Sequence, residues 1–300
     1  MINLLIFRAT VYKGEGNCRI VQLSCTISRS PGAKGRSERM NLNVNHALII
    51  AAGRGVRFGK ATHLCPKPLI EVAGVPLLSR TLLAACKAGI DHFTIITGYQ
   101  GKSLEDYLCH RTPRNLRVQC LRNEKWQRPN GLSVVRAKGH LPDRFVLLMA
   151  DHLFEAEILS NLIGAPLASG HCRLAVDFNT ERVPDLADAT KLAVLDGRVT
   201  DIGKEIKNYN AIDTGIFLCT QGIFEALETA ISKGKESLSD GIRELACCRH
   251  MEAMDIGDLF WLDIDNEASR LLGEKRLSEL LLSRQCEEAT LEFQRLSKRS

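Results

Sequence analysis

The chain has 300 residues, 45% hydrophobic and 25% charged, which suits one large or two smaller soluble α/β domains. Its formal net charge of +5 lies in residues 1–39, where Arg8, Lys13, Arg19, Arg29, Lys34, Arg36 and Arg39 face only Glu15 and Glu38. The remainder is formally neutral, so nothing in the main body argues for a nucleic-acid surface.

Residues 1–39 are expected to be a disordered or spurious extension, because Ser28–Ser37 is polar, basic and poor in core formers. The other reading is a targeting or tethering arm. Met1–Phe7 is apolar but too short to span a membrane, and it lacks the basic start and cleavage site of a signal peptide. The eleven cysteines include no Cys-x-x-Cys, which fits reduced thiols and a cytoplasmic setting without membrane insertion. The working domain is expected to begin near Met40 and to run to residue 300.

The apolar run Ala47-Leu48-Ile49-Ile50-Ala51-Ala52 predicts a buried parallel strand that opens into Gly53-Arg54-Gly55-Val56-Arg57. Glycines after a strand let backbone N–H groups approach a polyphosphate, and fixed cations then offset its charge. Lys67, between Pro66 and Pro68, is a second such cation. Pro76–Gly89 predicts a helix, His92–Gly98 a strand, Lys102–Leu108 a helix, Leu116–Leu121 a strand and Gly131–Leu141 a helix. Arg144–Ala150 predicts a strand ending on Asp151-His152. Repeated βα units imply a parallel sheet, and ligands then lie at the carboxyl ends of the strands. The glycine loop and Asp151 both emerge at that end.

The next segment is more antiparallel in pattern. Arg173–Phe178, Lys191–Leu195 and Val199–Ile202 predict short strands, with Asp196-Gly197 as a hairpin turn. Ala211–Cys219 predicts a strand, followed by a helix over Thr220–Lys233 capped by Thr220. Asp258–Ile264 predicts the last strand, and Asn266 is placed to cap a long C-terminal helix that either packs on the body or dimerises. Side chains repeat every two residues along a strand, so Asp263 and Asp265 share a face.

The segments GRGVRFGK, CPKPLIEVAGVPLLSRTL, Ala150-Asp151-His152, Ala189-Thr190-Lys191, Ile202-Gly203-Lys204, Ala211-Ile212-Asp213-Thr214-Gly215 and Trp261-Leu262-Asp263-Ile264-Asp265 resemble the sugar- and polyol-phosphate nucleotidyltransferases. Within them the chain is most similar to the inositol-1-phosphate cytidylyltransferases, over about residues 46–270. The resemblance implies a Rossmann-like three-layer α/β fold with a mixed, mostly parallel sheet and a small β-rich acceptor section. It implies a reaction in which CTP and inositol 1-phosphate give CDP-inositol and pyrophosphate. The alternatives are a sugar-1-phosphate or choline-phosphate nucleotidyltransferase, and a non-catalytic regulatory protein of the same fold.

Both reactants are anions, so such catalysis is mostly positioning and charge neutralisation. Arg57 would hold the β- and γ-phosphates, and Lys67 the α-phosphate or the incoming phosphate; read singly, both are ordinary solvated loop cations. Ala51, Ala52, Gly53 and Gly55, with Asn130, Gly131 and Ser133, are the expected nucleotide contacts. Thr190, Lys204, Asp213 and Thr214 are the expected acceptor site. Mg²⁺ is expected on Asp151 together with Asp265 or Asp263, either of which read alone would cap the last helix instead. His152 would orient Asp151, touch substrate or serve the core. A homodimer and a separate membrane transferase that consumes the product complete the expectation.

Overall fold

A computed structural model describes residues 8–13, 19–24, 44–59, 61–113 and 115–297. Of the N-terminal segment, β1 (Arg8–Lys13) and β2 (Arg19–Ser24) are described and pair antiparallel with each other. The rest of residues 1–39, including the basic tract, lies outside the described residues.

The expected strand over residues 47–52 forms as β3 (His46–Ala51). After α1 (Ala61–Leu64) come a small hairpin of β4 (Glu71–Val72) and β5 (Val75–Pro76), then α2 (Leu77–Lys87) with Pro76 at its N-cap. The pattern continues with β6 (His92–Thr97), α3 (Gly101–Arg111), β7 (Arg117–Arg122), α4 (Gly131–Val135) and β8 (Arg144–Met149). α4 stops well short of the expected Leu141. β9 (His152–Phe154) and α5 (Ala156–Gly164) follow.

The second half contains β10 (Cys172–Asp177), β11 (Lys191–Leu195), β12 (Arg198–Gly203) and β13 (Ala211–Thr220). Asp196 and Gly197 both take positive φ, 49° and 71°, as the expected two-residue turn requires. Then come α6 (Gly222–Ser232), α7 (Leu238–Cys247), β14 (Met251–Asp255), β15 (Trp261–Asp263) and α8 (Glu267–Ser297). Thr220 is not the N-cap of α6. It ends β13, where its hydroxyl donates to the His171 carbonyl and receives the Gly222 N–H.

The sheet is mixed. β7, β6, β3 and β8 lie side by side and parallel, as β10 and β14 do. β13 runs antiparallel between β8 and β10, and the β11–β12 hairpin joins the start of β13 to β14. Alternation along the buried strands supplies two cores. Leu48, Phe145, Leu147 and Phe217 face Phe224, Leu227 and Ile242 of α6 and α7. Ala47, Ile49, Val146 and Leu148 face Leu78, Leu82, Leu104 and Leu159 of α2, α3 and α5. That is the expected three-layer arrangement, with the sheet buried on both faces.

The last predicted strand differs most. Only Trp261–Asp263 is extended, and it pairs antiparallel with β9 outside the main sheet, setting Asp263 opposite His152. Beneath it Leu153, Leu262 and Ile264 make a third core with Val72 and Leu77, against which Leu272 and Leu277 of α8 pack. Among the described residues, no helix is long and apolar enough to cross a membrane.

Candidate active site

The glycine loop leaves the carboxyl end of β3 beside Asp151, which lies just past the end of β8. Gly55 takes φ +66°, and a Cβ there would lie 2.7 Å from both Cβ and Cδ of Lys67. The glycine therefore makes room for the Lys67 stem as well as for any phosphate. Nothing lies within 4 Å of where a Cβ at Gly53 would sit, so that residue is the open part of the loop. The 3₁₀ turn Lys67–Leu69 holds Lys67 almost fully buried, 5% exposed.

Lys67 is the hub of the acidic cluster. Its Nζ donates to Asp151 Oδ2 at 2.6 Å and to Asp265 Oδ1, and lies 4.0 Å from Asp263 Oδ1. Burial opposes the Lys67 charge, but Asp151, Asp263 and Asp265 outweigh it and hold the ammonium above the usual lysine range. In return, Lys67 and His152 overcome burial to hold Asp151 below the usual carboxylate range. Asp263 goes the other way, because burial and its neighbours Asp151 and Asp265 outweigh the help of His152 and Lys67. Asp263 Oδ1 is buried without a hydrogen-bond partner among the described residues, as suits an atom that awaits a cation.

Arg57 pairs with Asp265 Oδ2 and with Asp188, and the same Asp188 carboxylate receives Lys204 Nζ. Burial opposes the Arg57 charge, yet Asp265 and Asp188 raise it above the ordinary arginine value. The three side chains thus tie the glycine loop to β12 across one cleft of ≈ 280 Å³.

Arg57, Asn130, Asp151, Thr190, Lys204, Asp213, Asp263 and Asp265 all line that cleft. Lys67 reaches it through its aspartates. Burial pushes the Asp213 carboxyl up to about 6, against the N–H of Gly215, which donates to it at 2.7 Å. Other expected residues turn elsewhere. The Thr214 hydroxyl is fully buried and donates to the Ala175 carbonyl, so its side chain does not reach the cleft. Ser133 is buried and receives the Asn123 amide, and Gly131 is wedged against the backbone of Glu236 and Ser237. Asn130 Oδ1 accepts the Leu238 N–H, which ties that turn to α7. The Ala52 carbonyl accepts the Tyr99 N–H. Neither Asp263 nor Asp265 caps α8, because the Asn266 side chain accepts the Ser269 N–H.

The far wall of the cleft carries no mark in the sequence. Asp177, 1% exposed, receives Trp261 Nε1 at 2.7 Å, Arg182 Nε at 2.6 Å and the Asn179 N–H. Arg182, Asp185 and Asp188 come from the connection between β10 and β11, which has no periodicity to mark it.

Comparison with known proteins places this geometry. The chain is 31% identical over 225 residues to the bifunctional IPC transferase and DIPP synthase of Aquifex aeolicus, covering 74% of this chain and 49% of that protein. It is 32% identical over 231 residues to the protein of the same name from Rubrobacter xylanophilus, covering 76% and 51%. The chain thus spans about half the length of these curated relatives. An inositol-1-phosphate CTP transferase from T. maritima superposes with a TM-score of 0.66 at 24% identity, over 75% of this chain and 91% of that one, a likeness of fold. Residues 47–247 match the family model for the MobA-like NTP transferase domain, and the chain belongs to that family.

Proposed function

We propose that the cleft joins CTP to inositol 1-phosphate and releases CDP-inositol and pyrophosphate. One observation carries this reading: Arg57, and the aspartates that bind it and the buried Lys67, line a single cleft with Lys204, Thr190 and Asp213. The names of the relatives above support the choice of CTP and an inositol phosphate.

In this mechanism an oxygen of the acceptor phosphate attacks the α-phosphorus of CTP. The bond from that phosphorus to the β-bridging oxygen breaks, and the electron pair leaves with pyrophosphate. Arg57 holds the β- and γ-phosphates as their charge grows, and Lys67 neutralises the α-phosphate. Lys204 binds the acceptor phosphate, while Asp213 and Thr190 accept and donate hydrogen bonds to polyol hydroxyls. A divalent cation, Mg²⁺ on the family resemblance, would be held by Asp151 with Asp265 or Asp263 and would offset phosphate charge there. A membrane transferase that expels CMP would consume the product. Exposed Leu271, Leu281 and Leu282 on α8 support the homodimer in this reading.

Gly55→Ala pushes a methyl into the Lys67 stem at a position with φ +66°, and turnover is expected to fall about a hundredfold because the ammonium is displaced. Steady-state kinetics on folded variant protein measures this. The pH dependence concerns Asp213. With its carboxyl raised to about 6, it is ionised above that pH and protonated below it. The KM for inositol 1-phosphate is therefore expected to rise as pH falls through about 6, and Asp213→Asn should flatten that limb.

The whole reading is tested by pyrophosphate release from a panel of nucleoside triphosphates and phosphomonoesters, with and without Mg²⁺. CTP with inositol 1-phosphate should be the best pair. Activity only with a sugar 1-phosphate or phosphocholine would overturn the acceptor, and no activity with any pair would favour the regulatory alternative.

A further inference from the structure

The far wall of the cleft is built around one buried carboxylate. Asp177 ends β10 and is 1% exposed. Its Oδ1 serves the local turn, accepting the Asn179 N–H at 2.9 Å. Its Oδ2 serves the cleft, accepting Arg182 Nε at 2.6 Å and Trp261 Nε1 at 2.7 Å. Burying a carboxylate is costly unless cations and donors satisfy it. Here the groups that satisfy it are a guanidinium and an indole, and both line the cleft. Sharing one oxygen makes them immediate neighbours.

Arg182 is fixed at a further point. The 3₁₀ turn Thr180–Arg182 carries it, and its Nη2 donates to the Gly257 carbonyl at 2.9 Å. Its Nη1 makes no hydrogen bond among the described residues, and the side chain is 28% exposed. That nitrogen is the donor left for a ligand. Arg57 and Lys204 meet on Asp188, whereas Arg182 stands apart from them on Asp177.

Without Arg182 this wall would suit a cation. Trp261 supplies an indole, and the carboxylates of Asp185 and Asp213 line the same cleft. An aromatic face is the usual seat of a quaternary ammonium, and nearby acids strengthen it. A fixed guanidinium reverses that preference. It repels an ammonium but donates hydrogen bonds to a hydroxyl. Selection between two ligands often depends on such an element that repels the wrong one.

We propose that Arg182, held in place by the positioning residue Asp177, is a specificity-determining residue that selects an acceptor with an uncharged polyol beyond its phosphate and rejects one with a cation there. Arg182 Nη1 donates to a hydroxyl of the polyol, and its charge keeps an ammonium away from Trp261. The inference rests on the reading that the acceptor phosphate enters this cleft, and it gives a role to a wall which that reading leaves unused.

The test compares binding of inositol 1-phosphate and phosphocholine to the full chain by isothermal titration calorimetry. α,β-Methylene-CTP and Mg²⁺ are present throughout, so that no transfer occurs. The wild type is expected to hold inositol 1-phosphate at least about a hundredfold more tightly than phosphocholine. Arg182→Ala should narrow that ratio at least about tenfold, while Arg182→Lys, which keeps the charge, should still exclude phosphocholine. Asp177→Asn keeps an acceptor for both donors but drops the charge. Steady-state kinetics should then show a higher KM for inositol 1-phosphate and an unchanged KM for CTP; an equal rise in both would remove the positioning role. An unchanged ratio in Arg182→Ala, with CDP-inositol still made by the wild type, overturns this inference alone. Phosphocholine held as tightly by Arg182→Lys as by Arg182→Ala would also overturn it, because charge would not be the cause. Binding of neither acceptor to the wild type overturns the acceptor reading and this inference with it. Selection that depends on Arg182 in a chain that releases no pyrophosphate overturns the transfer reading alone.

Discussion

Lys67→Ala is expected to lower kcat by about a thousandfold and to destabilise the fold at neutral pH by about 3–5 kcal/mol. The first effect follows from the role proposed for Lys67, a preorganised cation at the phosphorus under attack. The second follows from burial: Lys67 is 5% exposed, and without it Asp151 and Asp265 lose their shared counter-charge. The pH dependence separates this cause from a simple cavity. Lys67 helps hold the Asp151 carboxyl below its usual range, a contribution present above the unfolded-state pKa and lost as pH falls through the folded one. In the variant that depression is gone, so the destabilisation should shrink only as the solution is acidified below about pH 4, toward the folded Asp151 value of about 2. Urea denaturation of both proteins at pH 7.5 and at pH 3 measures it. A loss of stability independent of pH would assign Lys67 a packing role instead.

Arg57→Ala is expected to behave differently, because its guanidinium is 43% exposed. Its pairs with Asp188 and Asp265 are screened by water, and such pairs contribute about 0–1 kcal/mol, so the fold should be nearly unaffected. Catalysis should still fall about a hundredfold, or about 3 kcal/mol, as the leaving pyrophosphate loses its clamp. Arg57→Lys should recover only part of this, since a point charge cannot grip two phosphate oxygens as a planar fork does. Asp188 supplies the converse control. Its carboxylate occupies both Arg57 and Lys204, so on the proposed roles it would compete with phosphate for them. Asp188→Asn is expected to lower the KM for CTP, and by no more than about fivefold given the weakness of exposed pairs. A rise in that KM would mean that Asp188 helps the nucleotide instead of competing with it.

Much of the site was legible in the sequence where local pattern decides position. The apolar run before Gly53 places β3, the run before Asp151 places β8, and their parallel pairing brings both ends to one edge. The two-residue alternation puts Asp263 and Asp265 on one face, and both approach Lys67. Asn266 caps α8 as its position suggests.

Other features depend on contacts between distant segments, which one-dimensional pattern does not encode. His152 meets Asp263 because β9 and β15 pair outside the main sheet, across more than a hundred residues of chain. Asp188 acquires two cations only when its aperiodic connection folds over the cleft. The role of Gly55 as a seat for Lys67 needs the 3₁₀ turn at Lys67 to be in place. α7 was missed although its signal was present. Ser237-Leu238-Ser239-Asp240 forms a capping box, with Ser237 and Asp240 bonded reciprocally. β14 left no comparable mark: Met251–Asp255 is a short, half-polar strand between β10 and β12.

Attack by the acceptor phosphate on the α-phosphorus of CTP, as proposed for this cleft, can be followed with inositol 1-phosphate carrying ¹⁸O in its non-bridging phosphate oxygens and products read by mass spectrometry. CDP-inositol is expected to carry the label, including the oxygen linking its two phosphorus atoms, and pyrophosphate to be unlabelled. Label in pyrophosphate, or CTP consumed without any CDP-inositol, would rule this attack out.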